Sequence, residues 1–324
     1  MKAMVYRRYG DPDALSLTEL PMPTPQPGEV RIRVMSSSIN SWDLDLLRGK
    51  PFIARMGGLI KPKYPVLGAD VAGVVDALGH SVTDFKVGDR VFGDVSPAHW
   101  GGFGEYLCAP CNLLASIPHT MTWEQAAASP QAGVLAMQSL RLHPQLSSNS
   151  RVLLIGAGGG VGTFALQMAK HAGAHITVVD REEKLPGLEA LGANEGIDYR
   201  QANWWETGQR YDLIVDMVLK QKMSTYLQAL NPHGHLAIVG GPIGQIFKIF
   251  MRGKSLSKRY QKHLRLVMHT PNRTDLEKLG EQFEAGTVKP VIDQVYPLSK
   301  LPQAMQRIAD GTVQGKLVIN IGKP

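Results

Sequence analysis

The chain has 324 residues, more than one hydrophobic core usually serves, so two domains are expected. Apolar residues make up 44% and charged residues 19%, the balance of an ordinary globular protein, and no run approaches the roughly 20 unbroken apolar residues of a membrane-spanning helix. The formal charge is +7, and the two cysteines form one C-x-x-C pair without the second pair that a closed zinc site usually uses.

In chain order, the N-terminus MKAMVYRRYG has no apolar signal core, because Tyr6, Arg7 and Arg8 interrupt it. A cytoplasmic address is the expectation. The first 120 or so residues look β-rich. Val30 to Ile39, Ala69 to Leu78 and Asp89 to Val95 read as strands, punctuated by Gly and Pro as in PTPQPGE. Trp42 to Gly49 reads as a short helix stopped by Gly49 and Pro51. Cys108 and Cys111, in FGEYLCAPCNLLASIP, fall on a strand running into a turn, where two unlinked thiols are expected.

The texture changes near Thr122. Thr122 with Gln125 three residues on forms a capping box, and a second helix begins near Pro130. From Arg151 strands and helices alternate: RVLLIG, a helix from Gly162 to Ala172, His175 to Asp180, the helix EEKLPGLEALG, GIDY, Tyr211 to Val218, a helix from Lys222 to Leu230, and Gly234 to Gly241. Alternation of this kind predicts a parallel sheet covered on both faces. Seven cations follow: Lys248, Arg252, Lys254, Lys258, Arg259, Lys262 and Arg265. They could attract nucleic acid or an anionic membrane. They also fit a solvated helix face with Ile249, Phe250, Leu256, Leu264 and Leu266 turned inward. DLEKLGEQFEAG and PLSKLPQAMQRIADG read as helices, and GKLVINI as the last strand.

The loop Gly156-Ala157-Gly158-Gly159-Gly160-Val161-Gly162 follows an apolar strand and opens a helix. Glycines there permit a tight turn and a close backbone approach to a pyrophosphate, and the helix N-terminus offers free N–H groups and positive dipole. The next long strand ends in an acid, Asp180, which is the context a dinucleotide fingerprint requires.

Several blocks in the right order resemble one family over nearly the whole chain. SSSINSWDLDLLRG resembles the S-x-N-P-x-D-x-x-x-R-x-G segment of the medium-chain dehydrogenases/reductases. YPVLGADVAGVVDALGHSVTDFKVGDRVFG resembles their G-x-D-x-x-G-x-V block, and KPVIDQVYPLSKLPQAMQRIADGTVQGKLVI their C-terminal segment. The nearest resemblance is to the zinc-independent quinone oxidoreductases. It implies an α/β fold: a GroES-like β-rich catalytic domain of residues 1–122 and 269–324, and a Rossmann cofactor-binding domain, doubly wound, of residues 123–268. It also implies a homodimer. Zinc-dependent relatives hold the metal with two cysteines and a histidine, whose places here fall to Asn40, Ala69 and approximately Gln131. No zinc is expected.

The resemblance implies NADPH-dependent reduction of quinones, enones or related conjugated carbonyls, with Asn40 lining the site. A capping role is the alternative for Asn40. Asp43 and Asp70 read as structural. Trp42 could narrow the pocket, and His99 and Trp100 lie on a Gly-rich loop from which they could reach it. The cofactor residues are expected to be Gly156, Ala157, Gly159, Gly160, Val161, Gly162, Asp180, Arg181, Lys184, Tyr199, Gly240 and Gly241. An acid such as Asp180 favours NAD(H). A lysine and a tyrosine at the places of Lys184 and Tyr199 hold the 2′-phosphate in the resembling enzymes, so NADP(H) is favoured. A zinc-free alcohol dehydrogenase or aldehyde reductase remains a second reading. A non-catalytic cofactor-binding protein with protein or nucleic-acid partners is a third.

Overall fold

The computed structural model describes residues 1–56 and 58–322, with the side chains of Phe250 and Arg252 outside the described set. The chain divides into two compact units, Met1–Val134 with Pro271–Pro324, and Leu135–Thr270. The first division falls later than the 122/123 boundary read from the sequence. The helix Trp123–Ala128 starts at the Thr122 capping box and buries Ala126, Ala127 and Ala128 completely. Ala126 and Ala127 join Ala72, Phe92 and Ala115 in the core of the first unit.

The first unit is built on the long strand Glu29–Ile39. Val30, Ile32 and Val34 alternate inward and meet Val71, Val75, Val91 and Leu114, the period-2 pattern of a half-buried strand. The strand pairs antiparallel with Asp70–Leu78 and with Tyr106–Pro110. At its far end it pairs antiparallel with Lys316–Asn320, aligning Leu317 with Ile39. The C-terminal segment thus completes a sheet begun in the first hundred residues. The helix Ser41–Arg48 follows directly and stops at Gly49, whose φ of 60° suits glycine. It buries Leu44 and Leu47, each worth about 1.5–3 kcal/mol on removal from water.

The second unit holds six parallel strands in the order Glu195–Asp198, His175–Asp180, Arg151–Ile155, Tyr211–Asp216, Leu230–Ile238, His263–Leu266. This is the doubly wound order, which reverses direction beside the first strand. Within the unit, every strand therefore presents its C-terminal end along one edge of the sheet.

The basic segment differs from the single helix face read from the sequence. The helix Ile243–Tyr260 ends at Gln261, with φ of 52°. Lys262 then donates to the carbonyls of Leu227 and Leu230. His263–Leu266 forms the edge strand, pairing Leu264 with Leu236. Ile249 is turned inward by the helix, but Leu264 is buried by strand pairing. Next to it, the rings of His235 and His263 stack at 4.3 Å, and His143 meets His235 edge-on at 5.2 Å.

Candidate active site

At the C-terminal edge of the parallel sheet, the strand Arg151–Ile155 turns at Gly156 into the helix Gly160–His171. The glycines have separable reasons for being there. Gly156 has φ of 80°, and a Cβ would lie 2.8 Å from Val218. A Cβ on Gly162 would lie 2.4 Å from the carbonyl oxygen of Ala157, so that glycine lets the helix close on the loop. Gly159 has neither constraint. Its φ is −84°, and a Cβ would meet only the Gly156 oxygen, at 3.7 Å. The protein's own packing does not require glycine at this helix N-cap. A close-lying anion at the free first-turn amides would. The loop therefore fits a dinucleotide pyrophosphate, with Gly160 and Val161 in the first turn.

Asp180 ends the next strand and is 7% exposed. Its Oδ2 accepts from the Gly158 amide at 2.7 Å, and its Oδ1 from the Arg181 amide at 2.9 Å. The Lys184 ammonium lies 3.9 Å from Oδ1. Arg181 Nε donates to the Tyr199 hydroxyl at 3.2 Å. Lys220, which the sequence reading did not name, lies 6.0 Å from the centre of the Tyr199 ring. Arg200 is a different case, since Asp198 and Glu183 neutralise its guanidinium. The corner therefore gathers Arg181, Lys184, Lys220 and a phenol around one buried carboxylate. Further along the same edge, Gly241 has φ of 138°, and a Cβ there would lie 2.4 Å from Leu219. Gly240 closes on the Met217 carbonyl oxygen, 3.0 Å from where a Cβ would stand. Asp216 fixes that turn by accepting from Val218 and Leu219 amides and the Tyr226 hydroxyl at 2.6–2.8 Å. Burial raises both the Asp216 and Tyr226 pKa values.

In the first unit Asn40 stands at the N-cap of Ser41–Arg48, but its side chain does more than cap. Asn40 Nδ2 donates to Asp70 Oδ2 at 2.9 Å, and the Lys316 ammonium donates to Asn40 Oδ1. Lys316 also donates to Asp70 Oδ2 at 3.1 Å, as Ser38 does at 2.6 Å. Asp70 Oδ1 accepts from the Gln131 amide at 2.8 Å. Asp70 is 0% and Lys316 3% exposed, so this is a buried ion pair with its remaining valences filled. Lys316 was not legible as a site residue. Its only signal was a lone charge opening the apolar strand KLVIN. Asp43 is structural, accepting from Asn40 and Gly68 amides at 2.9 and 3.1 Å, and burial pushes its pKa up to about 7.

The donor set at Asn40, Ala69 and Gln131 does not suit zinc. Ala69 offers a methyl group, Asn40 Oδ1 accepts from the Lys316 ammonium, the Gln131 side-chain amide donates to Asp94 Oδ2 at 3.2 Å, and the buried cation is Lys316. Among the described residues no group of three or more His, Cys, Asp or Glu is arranged to hold a metal ion. Cys108 and Cys111 are unlinked, and burial raises the pKa of both.

A cavity of about 120 Å3 in the same unit is walled by Tyr6, Tyr9, Trp42, Tyr64, Leu67 and Trp100, among others. Trp42 and Trp100 thus line one pocket. His99 is exposed and stacks on Tyr64 at 4.2 Å, outside the lining.

Comparison with known proteins agrees with this frame. The Alcohol dehydrogenase GroES-like domain family matches residues 26–119, and the Zinc-binding dehydrogenase family matches residues 191–319. The chain is 32% identical to the Chloroplast envelope quinone oxidoreductase homolog of Arabidopsis thaliana, covering 98% of both chains. It is 30% identical to the mitochondrial NAD(P)H oxidoreductase RTN4IP1 of Homo sapiens, over 99% of this chain and 89% of that one. The structure of the quinone oxidoreductase from Coxiella burnetii superposes with a TM-score of 0.89 at 25% identity, covering 99% of each chain. A GroES-like domain joined to a Rossmann sheet with a glycine loop is the architecture of a nicotinamide-dependent oxidoreductase. The chain belongs to the quinone oxidoreductase-like family of medium-chain dehydrogenases/reductases.

Proposed function

We propose that this protein uses NADPH to reduce quinones, enones or related conjugated carbonyls without zinc. The observation that carries the reading is the Asn40 amide. One Nδ2–H is bound to Asp70, and the other has no partner among the described residues. The Lys316 cation on Oδ1 polarises the amide and strengthens that remaining donor. A donor of this kind, fixed in advance, stabilises the negative charge that develops on a carbonyl oxygen. Bound NADPH supplies the hydride, which goes to the electron-poor carbon. The proton comes from solvent or a ribose hydroxyl.

The aromatic cavity supports a planar substrate. Its wall holds Trp42, two residues along the chain from Asn40, while Asn40 itself is outside the lining. The pyrophosphate would rest on Gly156 to Gly162, with Gly240 and Gly241 leaving the same edge clear. The 2′-phosphate would meet Arg181, Lys184 and Tyr199. The Asp180 carboxylate is occupied by Gly158 and Arg181 amides, which favours NADPH over NADH. A homodimer belongs to the same reading, since the sheet ends in the edge strand His263–Leu266. So does a cytoplasmic address, although relatives carry chloroplast and mitochondrial names.

The test is a panel of quinones, enones, aldehydes and alcohols, followed by NADPH oxidation or NADP reduction. Quinones or enones should turn over. Asn40→Ala should lower kcat by about 10- to 100-fold with NADPH affinity unchanged. Elemental analysis should find no stoichiometric zinc, and chelators should leave activity intact. Preference for alcohols or aldehydes, or activity that leaves with a metal, would overturn the reading.

A further inference from the structure

The helix Ile243–Tyr260 carries a feature that hydride transfer does not use. Its inward face is set by Ile246, Ile249 and Leu256, which pack on the sheet core. At 100° per residue the opposite line runs through positions 243, 247, 251, 254 and 258. The first three are Ile243, Phe247 and Met251, which are 46%, 62% and 65% exposed. The next two are the exposed Lys254 and Lys258, with exposed Lys248 and Arg259 beside the line. The helix has no acidic residue. An outward ridge of three large apolar side chains, continued by cations, costs stability in water unless something covers it.

We infer that this ridge docks the protein onto an anionic lipid surface, with the helix lying in the interface plane. Two properties select that occupant. A ridge has no groove to hold a peptide, whereas a headgroup layer admits protruding apolar side chains to a shallow depth. The cations along and beside it complement anionic lipid, and they oppose a second copy. An antiparallel two-fold contact of this face with itself, centred at Met251, would set Lys254 of one protomer against Lys248 of its partner, with no carboxylate on the helix between them. No helix among the described residues is long and apolar enough to cross a membrane, so the contact is peripheral.

The test is co-sedimentation of the full chain, with NADPH, on vesicles of phosphatidylcholine alone or with one third phosphatidylserine. Binding is expected to the anionic vesicles only, weakening about fivefold for each cation removed in Lys254→Gln and Lys258→Gln, and weakening further in high salt. Phe247→Ser with Met251→Ser should lower binding by at least tenfold. NADPH affinity and melting temperature, read in parallel, should stay at the parent values and so separate lost docking from lost fold. Three results overturn the proposal. One is equal or absent binding to both vesicle types. Another is a fall in oligomeric state, with vesicle binding unchanged, in the Phe247/Met251 variant. The third is tighter, salt-sensitive binding to RNA that vesicles do not compete away.

Discussion

Asp180 and Asp70 are both buried carboxylates, and the two units satisfy them by opposite means. Asp180 takes main-chain amides from Gly158 and Arg181, and Gly158 belongs to the loop the carboxylate braces. Asp70 takes side chains from Ser38, Asn40 and Lys316, together with the Gln131 amide. A charge held by backbone tolerates changes in neighbouring side chains but not in main-chain geometry. A charge held by side chains behaves the other way. The glycine loop should therefore fail through shape, and the Asn40 network through lost charge.

Removing the cation is the sharpest test of that contrast. Lys316→Met leaves Asp70 buried and unpaired, and unfolding free energy should fall by about 3–5 kcal/mol. Adding Asp70→Asn should recover much of it, as read by urea denaturation. A loss below about 1 kcal/mol would mean that water reaches the pair and that the network is no charge trap.

Next in size is the loop. Gly159→Val should weaken NADPH binding by about 100-fold, or 2.7 kcal/mol, while the melting temperature holds. Gly162→Val should instead destabilise the fold by about 1–3 kcal/mol or more, because its Cβ would lie 2.4 Å from the Ala157 oxygen. Equal loss of stability in both variants would erase the distinction between a ligand-facing and a packing glycine.

Lys184→Ala probes the side-chain part of the cofactor corner. A hydrogen bond to a charged group is worth about 1.5–3 kcal/mol, so NADPH binding should weaken roughly 10- to 100-fold and NADH binding hardly at all. Equal loss for both cofactors, or a parent enzyme that prefers NADH, would put Asp180 in control.

The smallest expected effect is at His235. Burial, then His263, His143 and Arg265, hold its pKa down to about 4. Its folded pKa lies below the ordinary value near 6.5, so the unfolded chain binds the proton first. Stability is full above that ordinary value and declines as pH falls toward 4. His235→Gln should flatten that slope in thermal melts between pH 7 and 4. An unchanged slope would assign the acid sensitivity elsewhere.

What the sequence disclosed follows the same divide. The glycine loop, the Thr122 cap and the strand ending at Asp180 were legible because each is specified within a few neighbouring residues. Asn40 entered only through resemblance, and Lys316 not at all. Their contact spans 276 residues and exists because Lys316–Asn320 pairs with Glu29–Ile39. The edge strand His263–Leu266 is not legible as strand, because its four residues sit among cations that read equally well as one solvated helix face. Only pairing with Leu230–Ile238 decides between them.

The bond from Gly158 to Asp180 also limits how cofactor preference can be redesigned. The textual place to switch a dinucleotide enzyme is the acid at the end of the second strand. Here that acid braces the glycine loop, and a Cβ on Gly158 would lie 2.5 Å from Lys184 and 3.0 Å from Asp180. Selectivity and loop shape are thus one engineering variable at Asp180. On the proposed NADPH reading, a designer who wants to move the preference while keeping the loop would work at Arg181, Tyr199 or Lys220.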